Sequence, residues 1–456
     1  MKNRHMDRNN SKHTGKMTEG NEIRQILGFM VPLLIGNLFQ QLYTLVDSVV
    51  VGRFVSARAL GSVGSVGSVN FLFLSLCVGL AGGINVLVAQ YFGAEDAEGV
   101  KRGIGNSIYV TLVSGALMSL ISVAFAPQIL TAMQVPSENF PDALTYMRIV
   151  CGSMLVTAAY NTISQILRAL GDARTPLYFV MVSSVINVVL DVVFVAVFHW
   201  GVAGVAWATV IAQVFSTVGS IWAAMRKSIY FQLRREHLKF SPNIVRKICW
   251  MGIPLAAQNA LGSVSGVICQ SVVNSFGSTV MSAYTAASRV EQLVSQPYST
   301  MGVAVANFAG QNVGAGKFER VKTACRKCVY LVIGFSAVMF FVMLFFGRLI
   351  IGWFVEDASV IDIGARGLLI MSTAYFFMGL VFIYKAMLNG AGDAVFSMGN
   401  GVIEVAARLI LIFGLTSISA MGYWGIWWMN VFSSMLASML CVLRYRGGKW
   451  MKKSVV

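Results

Sequence analysis

The chain has 456 residues, of which 56% are hydrophobic and only 12% charged, and its mean hydropathy is +0.70. A soluble core of this size cannot bury such an apolar fraction, so we expect lipid to cover the surplus. The formal net charge of +16 argues weakly for nucleic-acid binding, because the basic residues lie in short segments between apolar blocks, where membrane topology explains them better.

The first 25 residues are polar and basic and contain no apolar stretch of the kind found in a cleaved signal peptide. After them, apolar blocks recur along the chain, each of the roughly 20 residues needed to cross a hydrocarbon core of about 30 Å. We predict twelve transmembrane helices, at residues 26–50, 62–89, 104–126, 141–168, 175–198, 201–224, 248–273, 279–309, 328–349, 364–389, 396–418 and 421–443.

These spans predict an all-α polytopic membrane protein built from two six-helix lobes. The predicted domains are a cytoplasmic basic tail (1–25), an N-lobe (26–224), a cytoplasmic linker (225–247), a C-lobe (248–443) and a second cytoplasmic tail (444–456). Basic residues crowd the segments that would be cytoplasmic if both termini are inside, which is the bias that orients membrane proteins. The linker charges are expected to be solvated or to touch anionic lipid.

The two predicted lobes repeat each other in sequence. Pro32-Leu33 and Asn37 reappear as Pro254-Leu255 and Asn259, an offset of 222 residues. Later matches, from Gln90 with Gln311 to Trp207 with Trp428, keep an offset of 221. Because six is even, both halves enter the membrane from the same side, so a parallel repeat about an axis along the membrane normal is predicted.

The first span carries a polar stripe. Gln40, Tyr43 and Asp47 stand at i, i+3 and i+7, so an amide, a phenol and a carboxylate share one helical face. An ionisable side chain inside a bilayer is costly and marks a functional site by default. The charged residues at least three positions inside the ends of the predicted spans are Asp47, Arg148, Asp191, Arg289, Glu291, Lys385, Glu404 and Arg408.

The fifth and sixth spans add a second carboxylate. Asn187 and Asp191 stand at i and i+4 on one face. Asp191 and Thr209 lie nine residues on either side of Trp200, where the chain turns, so antiparallel helices should place both roughly 13 Å below the outer surface. Asp47 also falls in the outer half of its span, which predicts that the two carboxylates meet.

Such a carboxylate pair, with amide and hydroxyl oxygens nearby, suits two tasks. It can hold a proton, because desolvation and a neighbouring like charge both favour the protonated form. Its oxygens can instead coordinate Na⁺. A hydrogen-bonded cluster that only packs helices is the structural alternative. The sequence does not choose between the two ions.

The second half lacks both acids. The repeat offset aligns Asp47 with Cys269 and Asp191 with Ile412, and a purely architectural carboxylate would more often be repeated. Ion coupling is therefore predicted in the first half.

Five other charged residues lie in the second-half spans. Glu404 and Arg408, at i and i+4, have the spacing of an ion pair on one helix. With Arg289, Glu291 and Lys385 they are expected to form a neutralised charge network, with either a structural role or a role in coupling or substrate binding.

Three further features have ordinary structural explanations. Pro32 is either a hinge or a helix-start proline. Cys325 and Cys328 form a CxxC pair without the second pair that a metal site needs, so the cysteines are interpreted as structural and no metal is expected apart from Na⁺ at the carboxylates. The segment Gly310–Lys317 resembles a P-loop, but Phe318 follows where Ser or Thr is required, so no ATPase is predicted.

Several motifs together resemble the multidrug and toxic compound extrusion (MATE) family over residues of about 25–445. They are Pro32 with VDSVVVG at Val46–Gly52, QYFGA and QNVGA after spans two and eight, RALGD at Arg168–Asp172, and GVAGVAWAT at Gly201–Thr209. ASRVEQ at Ala287–Gln292 and VIEVAAR at Val402–Arg408 are similar to the DinF-type bacterial branch.

The resemblance implies two lobes forming a V around a central cavity, with a cation site at Asp47, Asn187, Asp191 and Thr209. It adds Gln40, Tyr43, Tyr146 and Asn161 as candidate cavity or network residues, although the depth argument places Asn161 nearer the cytoplasm. The NorM-like branch carries an acid in its seventh helix, where this chain has Gly262. A second-lobe cation site of that kind is therefore not expected.

The resulting prediction is a cation-coupled (H⁺ or Na⁺) antiporter that exports drug-like, often cationic, organic compounds by alternating access. It is not expected to be an enzyme or to need a cofactor beyond the coupling ion. Small organic substrates and membrane lipids are its predicted partners, without nucleic acid. We expect a monomer in the plasma membrane of a bacterium, with both termini cytoplasmic.

Two other transporter classes are the alternatives. A lipid-linked oligosaccharide flippase of the same superfamily would usually have about fourteen spans and a cation-rich cavity. A major facilitator transporter also has two parallel six-helix halves, but the segment Gln90–Gly105 lacks the basic signature expected between its second and third spans.

Overall fold

The computed structural model describes residues 15–455, so the first fourteen residues of the predicted basic tail lie outside the described part of the chain. Within that part the regular structure is entirely helical. The helices are α1 (Glu22–Val50), α2 (Ala57–Gly93), α3 (Ala97–Ala124), α4 (Ala126–Ala132), α5 (Phe140–Val150), α6 (Met154–Ala169), α7 (Arg174–Val192), α8 (Gly201–Lys227), α9 (Pro242–Asn274), α10 (Ser278–Gly314), α11 (Phe318–Gly352), α12 (Ala358–Gly390), α13 (Ala394–Ser417) and α14 (Gly425–Arg446).

Ten helical segments between residues 15 and 455 are long and apolar enough to cross a membrane. One of them, Phe140–Ala169, combines α5 and α6 across a short 3₁₀ turn. Helices α9 and α10, with 33 and 37 residues, occupy the seventh and eighth predicted spans but are more polar and fall outside the ten. The predicted all-α polytopic fold is confirmed, and every predicted span falls on a helix.

The chain divides into two compact units. Unit 1 contains residues 15–17 and Val31–Ala256, and unit 2 contains Thr18–Met30 and Ala257–Val455. The start of α1 therefore belongs to unit 2, where Glu22 accepts hydrogen bonds from Arg320 at 3.2 Å and Lys327 at 2.8 Å. The linker and the start of α9 belong to unit 1. The boundary between the two units therefore falls within helix α1, beside Pro32, and again within helix α9, beside Pro254.

The linker is fixed to unit 1 by side chains of α3. Asn106 accepts a hydrogen bond from the Ser241 N–H at 2.7 Å, and the Tyr109 hydroxyl donates to the Leu238 carbonyl at 2.6 Å. The buried His237 ring lies 2.8 Å from Glu98. These contacts explain why the linker stays with unit 1, while its Arg234 points into solvent as expected.

Glycines let α2 approach the start of α9 closely inside unit 1. A Cβ at Gly83 would lie 2.5 Å from the Ile248 carbonyl oxygen, and a Cβ at Gly79 would lie 2.3 Å from the Ala256 backbone. Small residues at such crossings allow helix backbones to pack in membranes. Gly79 and Gly83 are therefore packing residues.

Gly83→Ala is expected to destabilise the protein by about 1–3 kcal/mol, because the added methyl group meets backbone that cannot rotate away. Gly64→Ala on the same helix is the matched control, since nothing lies within 4 Å of a Cβ there. Ala favours a helix over Gly by up to about 1 kcal/mol, so the control should be neutral or stabilised. Thermal unfolding of both variants in detergent checks this, and equal melting temperatures would contradict the packing role.

Candidate ion-coupling site

The turn between α7 and α8 packs the helix of Asn187 and Asp191 against the helix of Thr209. His199 and Gly201 both adopt positive φ, at 54° and 56°, and the Trp200 N–H donates to the Phe194 carbonyl at 2.9 Å. The Trp200 ring stacks on Phe194 at 4.9 Å. This tight reversal makes α7 and α8 pack as an antiparallel pair, as the sequence predicts.

Both helices that carry a predicted acid widen into a π-helical turn beyond it. Val51–Val55 follows Asp47 on α1, and Val193–Val197 follows Asp191 on α7. Each turn is closed by an i→i+5 hydrogen bond, and the two turns contact each other. Single π-turns inside α-helices occur frequently at functional sites.

Asp47 and Asp191 meet inside unit 1. Their carboxyl groups are close enough to interact directly, and Tyr146 lies near both. Asp191 and the adjacent Asn187 are almost fully buried, and Asp47 is partly buried. Two carboxylates at this distance in a low-dielectric setting cannot both stay ionised cheaply, which favours a bound cation or proton.

A small cavity lies beside Asn187 and Thr209, and neither acid is among the residues that line it. It is lined by Gln40 and Tyr43 of α1, Asn187 of α7 and Thr209 of α8. Its volume is about 30 Å³, room for one or two water molecules or a single cation but not for a drug-like compound. We call Asp47, Asn187, Asp191 and Thr209 the coupling site.

Several polar atoms of the coupling site have no hydrogen-bond partner among the described residues. They are Oδ1 of Asp47, both carboxylate oxygens of Asp191, and the side-chain oxygen and nitrogen of Asn187. Buried polar groups are nearly always satisfied, so each orphan requires an explanation such as an ion or a titrating proton. Carboxylate, amide and hydroxyl oxygens are hard donors that fit Na⁺ as well as H⁺.

The other two predicted cavity residues, Tyr146 and Asn161, lie in different surroundings. Tyr146 is buried beside the acids, in a core with Met147 and Met154. Asn161 does not line the cavity, and its amide donates to the Thr157 carbonyl of its own helix at 2.8 Å. Because Tyr160, the preceding residue, does line the cavity, the face of α6 on which Asn161 lies excludes it from the cavity, and its depth does not.

The sequence analysis missed five polar residues that line the same cavity. They are Tyr160, Ser183, Ser184, Gln213 and Ser216. Extending the helical spacing would have found most of them, because Gln213 and Ser216 follow Thr209 at i+4 and i+7, and Ser184 precedes Asn187 by three residues. Tyr160 comes from α6 and gives no such signal.

The second half brings the equivalent positions together without acids. Cys269 and Ile412, which the repeat aligns with Asp47 and Asp191, pack in one buried apolar cluster with Met429. The duplicated scaffold therefore makes the same contact twice, once between carboxylates and once between apolar side chains. This agreement supports the predicted asymmetry between the halves.

Three of the five predicted second-half charges form ion pairs, and a fourth, Glu291, lies within electrostatic range of one of them. Glu404 accepts a hydrogen bond from Arg408 at 2.8 Å and lies 3.8 Å from the Lys385 ammonium. Glu291 interacts electrostatically with Arg408. Arg289 does not join them, because residues two apart on a helix point to nearly opposite faces.

Comparisons with known proteins identify the family. A family model described as MatE matches residues 32–193 and 254–413, two segments that begin at the repeat-related prolines. The chain belongs to the MATE family. It is therefore a transporter and not an enzyme, and it is a multi-pass bacterial membrane protein.

Similar MATE proteins span the whole chain. Two from Bacillus subtilis (strain 168) are "Probable multidrug resistance protein YoeA", 27% identical over 97% of both chains, and "Probable multidrug resistance protein YpnP", 29% identical over 95% of this chain and 97% of the relative. The "Probable multidrug resistance protein NorM" of Thermotoga maritima is 23% identical over 95% of both.

Solved structures share the MATE fold. "Crystal structure of MATE in the bent conformation" superimposes with a TM-score of 0.90, at 21% identity, over 96% of this chain and 98% of that chain. "Outward-facing conformation of a multidrug resistance MATE family transporter of the MOP superfamily" gives 0.88, at 23% identity, over 97% and 99%.

Proposed function

We propose that this MATE transporter exports drug-like organic compounds in exchange for H⁺ or Na⁺ bound at the coupling site. The observation that carries the proposal is the proximity of the Asp47 and Asp191 carboxyl groups. Three of their four oxygens are buried without a hydrogen-bond partner among the described residues, and Asn187, one turn from Asp191, lines an ion-sized cavity. Relatives named as multidrug resistance proteins along the whole chain support export of drug-like compounds.

Coupling follows from the electrostatics of the pair. A cation that binds between two buried carboxylates removes their repulsion and gives Asn187 and Thr209 a shared ligand to orient. Where the four residues can surround the cation in only one conformation of the transporter, cation binding shifts the equilibrium towards that conformation. In an alternating-access cycle the cation loads from outside, substrate affinity falls, the compound leaves, and the cation is released inside.

The remaining parts of the proposal concern the setting. The transporter acts as a monomer in the plasma membrane. Both termini lie in the cytoplasm, an orientation supported by the basic residues near both ends of the chain. It needs no cofactor other than the coupling ion, and its partners are small organic compounds and surrounding lipid. The flippase alternative is not favoured, since relatives of this chain are named as multidrug resistance or multidrug export proteins.

The test is reconstitution into proteoliposomes loaded with tetramethylrhodamine methyl ester, a fluorescent organic cation. A pH gradient and a Na⁺ gradient are imposed separately, with ionophore-treated vesicles as the control. Efflux driven by one gradient supports the proposal and identifies the coupling ion. Cation coupling would be overturned if vesicles that contain active protein released the dye at the same rate with and without each gradient.

A further inference from the structure

Helices α6 and α8 pack against each other in unit 1 and carry a cluster of polar side chains. Tyr160, Ser164 and Arg168 follow each other at intervals of four residues along one face of α6, and Ser216 and Ser220 do the same on α8. The serines are at most 2% exposed. Among the described residues, their hydroxyl groups and the buried Nε of Arg168 have no hydrogen-bond partner. We call these five residues the donor cluster.

The serine hydroxyl groups of the donor cluster are turned away from their own helices. A serine or threonine inside a helix commonly donates to the backbone carbonyl one turn earlier. Thr217, which is buried next to Ser216, does so and bonds to the Gln213 carbonyl at 2.8 Å. Ser164, Ser216 and Ser220 make no such bond, although a buried hydroxyl without a partner is costly. Their hydroxyl groups are therefore available to an acceptor outside their own helices.

Arg168 has no carboxylate partner within residues 15–455. Its side chain interacts electrostatically with Tyr160. The nearest acid in sequence, Asp172, is engaged at the start of α7, where it accepts hydrogen bonds from the Thr175 N–H at 2.9 Å and from the Thr175 hydroxyl at 2.6 Å. A guanidinium has only donors, and a charge inside a protein needs an opposite charge or hydrogen bonds to compensate its burial. The missing partner of Arg168 is therefore an acceptor, and preferably an anion.

The donor cluster borders the cavity of the coupling site. Tyr160 and Ser216 line that cavity, as Asn187 does from α7. The Tyr160 hydroxyl approaches those of Ser164 and Ser216 without bonding to either, and it lies within electrostatic range of Arg168. The cavity volume of about 30 Å³ gives room for a single small ion and excludes a phosphate ester or an organic acid.

We propose that the donor cluster binds a halide ion, with chloride as the physiological ligand. The unsatisfied groups of the coupling site include carboxylate oxygens, which attract a cation. Those of the donor cluster are instead O–H and N–H groups beside a fixed positive charge. Water can satisfy the hydroxyl groups, but it does not balance the guanidinium. A halide does both, because it accepts several hydrogen bonds at once and carries the opposite charge.

Chloride binding to the purified full-length protein tests the site. Equilibrium binding of ³⁶Cl⁻ is measured in detergent, with gluconate as the replacement anion, so that the Na⁺ concentration and the ionic strength stay constant. The wild type is expected to bind chloride saturably, at one ion per chain, with bromide as a competitor. Arg168→Gln is expected to weaken binding roughly 10- to 100-fold, because it removes the charge and the charge-assisted hydrogen bonds.

Two further variants separate the site from a general effect on folding. Ser164→Ala combined with Ser220→Ala removes two donors without changing charge, and it should weaken binding about 10-fold. Thr217→Val is the matched control on α8, since the Thr217 hydroxyl is already bonded to its own helix, and it should bind chloride like the wild type. The proposal is overturned if the wild type shows no saturable binding, if either Arg168→Gln or the double serine variant binds like the wild type, or if Thr217→Val weakens binding equally.

The halide should also affect the coupling site, a consequence that depends on the cation binding proposed above. Arg168 repels a cation in the adjoining cavity, and a bound halide cancels that repulsion. Replacing chloride by gluconate on both sides of the proteoliposome membrane is therefore expected to lower the apparent affinity for the coupling ion several-fold in the wild type and not in Arg168→Gln. Equal affinities of the wild type in the two salts would refute this linkage.

Failure of the halide site is distinguishable from failure of the export function. Saturable chloride binding that is lost in Arg168→Gln, without dye efflux under either gradient, would refute coupled export and leave the halide site standing. Gradient-driven efflux by a protein that binds no chloride would refute the halide site and leave export standing.

Discussion

Replacing Asp191 by asparagine is expected to abolish gradient-driven efflux without destabilising the protein. Asparagine has nearly the same shape but carries no charge, so it can neither accept a proton nor neutralise a cation. Loss of a typical coupling free energy corresponds to a reduction of about 5- to 150-fold in the effect of the ion on the substrate. Asp47→Asn should give the same phenotype, because both carboxylates face one cation.

The stability of the variant separates this role from a structural one. The side chain of Asp191 is fully buried and its oxygens have no hydrogen-bond partner among residues 15–455, so removing its charge relieves a cost instead of breaking a contact. The melting temperature in detergent should therefore stay the same or rise. Equilibrium binding of the substrate should persist but lose its dependence on pH or Na⁺.

The chain supplies its own controls for this experiment. Cys269→Ala and Ile412→Val alter the equivalent positions of the second half, which pack in an apolar cluster. Both are expected to retain gradient-driven efflux in proteoliposomes. If Asp191→Asn or Asp47→Asn is present at normal protein levels and still shows the same gradient-driven efflux as the wild type, the substituted residue has no role in coupling.

Replacing Glu404 by glutamine is expected to destabilise unit 2 by about 1–3 kcal/mol. The carboxylate lies against Arg408 and Lys385, so its loss leaves Lys385 without an anion and removes the hydrogen-bonded partner of Arg408. Removing one partner of a fully buried pair costs about 3–5 kcal/mol. The lower figure applies here because the Arg408 side chain is 30% exposed and solvent screens part of the interaction.

A second variant shows whether the loss comes from unpaired charge. Glu404→Leu combined with Arg408→Leu and Lys385→Met removes all three charges and should recover most of the melting temperature. Asp362→Asn is the surface control, since its pair with Arg348 is half exposed or more and should contribute less than about 1 kcal/mol. If Glu404→Gln melts like the wild type, the network does not stabilise the unit.

The pairing of Asp47, Asp191 and Thr209 could be predicted because it depends on helix rise and on one turn. Counting residues from Trp200 fixes the depth of Asp191 and Thr209, and spacing along α7 adds Asn187. Tyr160 could not be found this way, since no sequence pattern indicates which face of α6 meets α7 and α8. The serines of the cavity carry no charge that would distinguish them from ordinary packing residues.

The placement of Arg289 shows where charge counting is insufficient. Grouping it with Glu291 follows from their closeness in sequence, but a spacing of two on a helix separates them by more than half a turn. The docking of the linker on α3 could not be predicted from the sequence either. It depends on contacts between Asn106 and Ser241, which are far apart in the chain and carry no complementary pattern.

The stretch that contains the π-turn at Val51–Val55 also differs in length between the two halves. The offset is 222 residues at Pro32 and Asn37 but 221 from Gln90 onward, so the first half has one residue more within this stretch. A π-turn accommodates one extra residue in an α-helix without unravelling it. The second π-turn, Val193–Val197, lies where the offset stays at 221, so the two halves have the same length there although only the first has a π-turn. The copies of the repeat therefore differ by one codon in the part that carries Asp47 and by none in the part that carries Asp191.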